Sequence, residues 1–68
     1  MNKLKEKIKE LREEKGLSQK ELSKVIGVSQ QAICRYELGE REPDIDTIIK
    51  LCKFFGVTSD YLIGLEDC

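Results

Sequence analysis

Residues 17–39 read LSQKELSKVIGVSQQAICRYELG, and the punctuation of this stretch decides the fold. Ser18 followed three residues later by Glu21 is a capping box: the serine hydroxyl takes an orphan helical N–H and the glutamate reaches back to the serine N–H. A helix therefore starts at Gln19, with Leu22, Val25 and Ile26 as its apolar face, and Gly27 ends it. Only Gly27, Val28 and Ser29 pass before Ser29 can cap the next helix, over about residues 30–38, which Gly39 stops. So short a link, holding a glycine that tolerates positive φ, makes the two helices cross steeply.

Working outward, Leu4, Ile8 and Leu11 recur at intervals of four and three within residues 3–14, the stripe of an amphipathic helix, and Gly16 stands where a terminating glycine belongs. On the other side, Asp44 follows Pro43 and can cap a helix in which Ile45, Ile48, Ile49, Cys52 and Phe55 share one face. Asp46, Lys50 and Lys53 take its opposite face, with Asp46 and Lys50 one turn apart. Gly56 ends that helix; Thr58 then caps a short last one carrying Tyr61 and Leu62, closed by Gly64. No segment alternates cleanly between apolar and polar residues, and no repeat, linker or low-complexity run interrupts the pattern. The expected architecture is all-α, a compact five-helix bundle. Its 68 residues suffice for one domain, spanning 1–68, and are too few for two.

Composition narrows the function classes. The chain is 40% apolar and 37% charged, as a soluble protein with a heavily charged surface would be, and it has no run of roughly 20 apolar residues to span a membrane. Its opening, MNKLKEKIKELREEK, lacks the apolar segment of a signal peptide, so a cytoplasmic location is expected. Cys34, Cys52 and Cys68 are odd in number and stand 18 and 16 residues apart, which fits no metal-ligand spacing; they read as three reduced thiols. Histidine is absent, removing the commonest metal ligand and general base. No metal, no cofactor and no enzymatic activity are expected. Net charge is −1, but residues 1–35 hold nine Lys/Arg against five Asp/Glu, giving +4, and residues 36–68 hold three against eight, giving −5.

The basic half contains the helix after the turn. At 100° per residue, Ile33, Tyr36 and Glu37 fall on one side of it, joined by Ser29 at its start. Gln31, Cys34, Arg35 and Leu38 fall on the other side, with Gln30 at the exposed amino-terminal edge. In a steeply crossed helix pair the second helix can enter the DNA major groove with its first residues at base edges. A glutamine amide donates and accepts at once, matching adenine N6 and N7, and the arginine fork matches guanine O6 and N7. Any solvated helix also needs a polar face, so composition alone leaves both readings open.

The spaced pattern LSQKELSKVIGVSQQAICRYELGEREPD, residues 17–44, continued by LCKFFGVTSDYLIG, resembles the Cro/repressor (XRE-type) helix-turn-helix family of phage and bacterial transcription regulators. Gln19 opening the first motif helix, Gly27 in the turn, Val28 and Ile33 in the core, and the YELG ending carry the likeness, which covers nearly the whole chain. It implies a lambda-repressor-like DNA-binding domain with its motif at about 18–38. It further implies a bacterial or phage-encoded regulator, a repressor, that binds a palindromic operator in double-stranded DNA as a homodimer, at least when on DNA. Gln30, Gln31 and Arg35 become base readers, and Gln19, Ser29 and Arg41 contacts to phosphate, with Gln19 also bracing Gln30. Serine at 23, where relatives often have alanine, is small enough to fit and can bond back to a carbonyl one turn earlier. In GEREPD, where relatives often carry extra Lys or Arg, Arg41 is flanked by Glu40, Glu42 and Asp44, which weakens electrostatic attraction to DNA.

Two further expectations concern packing. Glu37 lies on the packed side of its helix and needs a partner there, because an unpaired buried charge is costly. Arg12, flanking the Leu4–Ile8–Leu11 stripe, can supply it, as the resemblance also implies. With no separate oligomerisation domain in the sequence, Thr58, Ser59, Tyr61, Leu62 and Leu65 are the candidate dimer contacts, with Phe54 as a neighbour; the alternative is that they only close the core. The alternative function is a helix-turn-helix module used for protein–protein interaction, as an antitoxin or adaptor. That reading calls for aromatic or aliphatic anchors on the outer face of the helix after the turn.

Overall fold

A computed structural model describes residues 3–65, so Cys68 lies outside the described residues. Five helices follow in order: α1 (Leu4–Glu14), α2 (Gln19–Ile26), α3 (Gln30–Leu38), α4 (Ile45–Phe55) and α5 (Ser59–Ile63), with no strand among the described residues. Four of them start on side-chain caps that the sequence announces. The Ser18 hydroxyl accepts from the Glu21 N–H at 3.0 Å while the Ser18 N–H donates to Glu21 Oε1 at 2.8 Å, completing the capping box. That reciprocal bond, the Ser18 N–H first, holds the Glu21 carboxyl below its usual range. Ser29 caps α3 through the Ala32 N–H at 3.0 Å, Asp44 caps α4 through Thr47, and Thr58 caps α5 through Tyr61.

The largest fully buried side chains come one from each helix: Ile8, Leu22, Ile33, Leu51 and Leu62. Each such residue stabilises the fold by roughly 1.5–3 kcal/mol relative to exposure. All five helices therefore share one apolar centre, ringed by Leu4, Leu11, Ile26, Ala32 and Tyr36. Ser23 is buried with them at the face of α2, and its hydroxyl bonds back to the Lys20 carbonyl at 2.6 Å. The two ends of the described chain are tied by Lys3 N–H to the Ile63 carbonyl at 3.0 Å. Gly64 makes that closure possible: its φ is +88°, and a Cβ there would sit 2.9 Å from Lys3 Cβ and 3.3 Å from Lys3 N.

Three packing expectations need correction. In α4 the buried residues are Thr47 and Leu51, one turn apart, while Ile45 is 75% and Ile49 46% exposed; Ile48, Cys52 and Phe55 are half-buried. The helix carries apolar residues on more than one face; α2 and α5 pack against it, and the side it buries holds Thr47 and Leu51. Val25 is exposed as well, since at 100° per residue it lies to one side of the face formed by the buried Leu22, Ser23 and Ile26. Leu62, a candidate dimer contact, is completely buried and belongs to the core, so it has no surface to offer a partner.

Candidate nucleic-acid interface

The turn between α2 and α3 is built on Gly27, whose φ of +85° lets its own N–H and that of Val28 both reach the Ser23 carbonyl, at 2.8 and 3.0 Å. Ser29 then sits extended and opens α3 with Ala32, Ile33 and Tyr36 turned into the core. That fixes the rotation of the helix. Gln30, Gln31 and Arg35 are all exposed, and Cys34 between them is half-buried. Leu38, on the same outer side, is 60% exposed at the far end of the helix, so the first two turns present amides and a guanidinium rather than an apolar anchor.

Behind this face lies a polar cluster joining three helices. Arg12 Nε donates to Glu37 Oε2 at 2.6 Å and Arg12 Nη2 to Glu37 Oε1 at 3.1 Å, a bidentate pair between α1 and α3. The side chains are 12% and 5% exposed. Arg12 Nη1 donates to the Leu17 carbonyl at 2.8 Å, just before α2. The hydrogen bond from Glu37, more than its charge, raises the Arg12 pKa further above its already high value, against the effect of burial. The Glu37 carboxylate takes one more donor: Gln19 Nε2, at 3.0 Å from Oε1. The contact the structure gives Gln19 is to Glu37, whose buried carboxylate has acceptor capacity that Arg12 alone does not fill. That spare capacity is the signal by which the sequence could have yielded the contact.

Arg41 is exposed in the connection between α3 and α4, beside the buried Pro43. Asp44 is held below its ordinary carboxyl range first by the side chain and then by the N–H of Thr47, with smaller contributions from Lys50 and Arg41. At the far end of the molecule Thr58, Ser59 and Leu65 are exposed and Tyr61 half-buried, with the Lys7 ammonium 4.6 Å from the Tyr61 ring centroid. Phe54 meets Phe55 edge-on at 5.1 Å and lies under the Lys15 ammonium. Burial raises the Cys52 thiol pKa. Among the described residues no group of three or more His, Cys, Asp or Glu side chains is arranged to hold a metal ion, and no helix is long and apolar enough to cross a membrane.

The model of the helix-turn-helix family matches residues 8–62, from the core of α1 to the core of α5. The chain belongs to the helix-turn-helix family. Among curated relatives it is 38% identical over 58 residues to the SPbeta prophage-derived HTH-type transcriptional regulator YonR of Bacillus subtilis, covering 85% of this chain and 54% of that protein. It is 43% identical over 58 residues to the cryptic phage CTXphi transcriptional repressor RstR of Vibrio cholerae, covering 85% and 52%. The chain thus spans about half the length of these relatives, although it covers 97% of an uncharacterised HTH-type regulator of Methanocaldococcus jannaschii at 38% identity over 64 residues. Among solved structures, the P22 c2 repressor in complex with a synthetic operator superposes with a TM-score of 0.86 at 32% identity, over 93% of this chain and 96% of that one. The matched stretch takes in α2, α3 and α4 whole and most of α1 and α5.

Proposed function

We propose that this helix-turn-helix chain is a sequence-specific DNA-binding transcriptional regulator, a repressor, which lays α3 in the major groove of a palindromic operator as a homodimer. The observation that carries the reading is the common exposure of Gln30, Gln31 and Arg35 on the first two turns of α3, while the opposite side of that helix is locked into the core. These residue types match the donor and acceptor pattern of adenine and guanine edges. The likeness to a repressor seen with its operator supports it.

Around those readers stand the phosphate contacts. Ser29 accepts the Ala32 N–H as a cap, which leaves its own hydroxyl proton for a phosphate oxygen. Gln19 is the first residue of α2, where the helix end favours an anion. Arg41 lies beyond the carboxy-terminal end of α3 and supplies a cation there. Dimer contacts are assigned to the exposed Thr58, Ser59 and Leu65 with the half-buried Tyr61. Selection from random duplexes with the purified protein tests the whole reading. It should enrich an inverted repeat whose half-sites lie about 10–10.5 bp apart centre to centre, or a multiple of that. Recovery of no sequence above background would remove DNA reading and leave the protein-binding alternative. Sedimentation showing one subunit on a palindromic duplex would remove the dimer alone.

A further inference from the structure

We infer that Glu37 is a positioning residue for DNA docking: its buried carboxylate fixes the Gln19 amide as a phosphate anchor and ties that anchor to the reading helix. The inference rests on the DNA-binding reading above and adds a residue that touches no nucleic acid itself.

Glu37 is only 5% exposed, and an ionised carboxylate can only accept. The 3.0 Å contact from Gln19 therefore settles which way round the Gln19 amide stands: Nε2 faces inward and gives one N–H to Oε1. The second N–H of that nitrogen points away from the carboxylate. A glutamine at the first position of a helix would otherwise rotate and flip, and ordering it on DNA would cost entropy. Here the ordering is already done in the unbound protein. The carboxylate cannot swing aside, because Arg12 holds Oε2 at 2.6 Å and Oε1 at 3.1 Å, and Arg12 is itself held by the Leu17 carbonyl at 2.8 Å.

The helix membership matters as much as the bond. Glu37 stands on α3 with Gln30, Gln31 and Arg35, and Gln19 stands on α2. One buried carboxylate thus sets the spacing between a backbone anchor and the base readers, which is the register in which the groove is entered. Phosphate contacts fix register and orientation on a duplex, so a loose anchor would blur the alignment of the readers.

A double-mutant cycle on DNA affinity tests this, using the duplex recovered by selection and variants shown to be folded. Gln19→Ala should weaken binding about fivefold, the worth of one ordinary hydrogen bond. The paired change Arg12→Met with Glu37→Leu removes guanidinium and carboxylate together and orphans neither. It should cost about the same, and adding Gln19→Ala to it should cost less than about twofold more. An equal loss from Gln19→Ala in both backgrounds would overturn the inference, as would no loss in the wild-type background. Should the paired variant not fold, the wild-type protein decides. The Gln19 side-chain amide should be as ordered without DNA as the backbone, with an order parameter of about 0.85 by NMR relaxation. A value below about 0.6 that rises only on adding the duplex would overturn it. A wild-type chain that binds no duplex sinks the DNA-binding reading, and this inference with it.

Discussion

Replacing Arg12 by methionine keeps most of the side-chain volume and removes three hydrogen bonds, two to Glu37 and one to the Leu17 carbonyl. What remains is a carboxylate 5% exposed with Gln19 as its surviving donor. Removing one partner of a buried pair costs about 3–5 kcal/mol, because the other charge stays desolvated. The surviving Gln19 bond and the 12% exposure of Arg12 place this case at the low end, about 3 kcal/mol. For a chain of this length, stabilised by roughly 0.05–0.15 kcal/mol per residue, the total is about 3–10 kcal/mol, so the loss takes a third or more. Tm should drop by about 12–24 °C, at about 4–8 °C per kcal/mol for so small a domain. Urea unfolding followed by circular dichroism gives the number directly, since an unchanged m-value with a lower midpoint isolates stability from denatured-state effects. Arg12→Met with Glu37→Leu should recover most of the loss. A single variant within about 1 kcal/mol of the parent would refute the burial argument, showing that Glu37 is solvated well enough to stand alone. A paired variant as unstable as the single one would place the cost in the lost Leu17 contact instead.

Asp44 has a folded pKa below its unfolded value of about 3.8, so the stability it contributes is present above that pH and is lost as pH falls through the folded value. Asp44→Asn keeps an acceptor for the Thr47 N–H but removes the charge, so it should be less stable than the parent at pH 7, and the difference should shrink as pH falls below about 4 in urea titrations. Gly64→Ala forces a side chain into a left-handed conformation and against Lys3, and should destabilise by more than about 1 kcal/mol in thermal unfolding. Gln31→Ala and Arg35→Ala should each change preference at one base pair by about 1–3 kcal/mol in competition binding. Arg41→Ala should instead weaken all duplexes alike and flatten log K against log salt by about one unit per subunit.

Sequence reading recovered the parts of the fold that local chemistry determines. Ser18, Ser29, Asp44 and Thr58 each cap a helix through the N–H three residues on, and Gly27, Gly39, Gly56 and Gly64 each take positive φ at a helix end. These signals lie within one turn of the residues they control, so no tertiary knowledge is needed. The rotation of α4 was not legible in the same way. Ile45, Ile48, Ile49, Leu51, Cys52, Phe54 and Phe55 cover so much of its circumference that a stripe through Ile45 and Ile49 fits as well as one through Leu51. The choice is made by the neighbouring helices, and it buries Thr47 and Leu51. At the candidate interface the outward turn of Gln30, Gln31 and Arg35 followed from periodicity, because Ile33 and Tyr36 anchor α3 without ambiguity. The Gln19–Glu37 bond did not: the spare acceptor capacity of Glu37 calls for a further donor, but that the donor is Gln19, 18 residues away, depends on how α2 crosses α3.

On the DNA-binding reading, the uneven charge of the chain bears directly on how it would bind. The readers and Gln19 lie in the half with a surplus of +4, while the connection after α3 begins the half with −5. Between Gly39 and Asp44 the single cation, Arg41, has Glu40 and Glu42 as its immediate neighbours. At physiological salt the Debye length is about 8 Å, so the carboxylates adjacent to Arg41 in the chain weaken its attraction for phosphate. Attraction to phosphate is the part of DNA affinity that ignores sequence. A chain that carries little of it at this edge holds poorly to arbitrary duplex and depends on base contacts to stay bound. Those contacts would be few on one α3, and the proposed dimer, with reading helices about 34–36 Å apart on one face of the duplex, would double them. If the chain binds as the proposed dimer, the acidic residues beside Arg41 would make the symmetry of the operator a condition of binding rather than an addition to it.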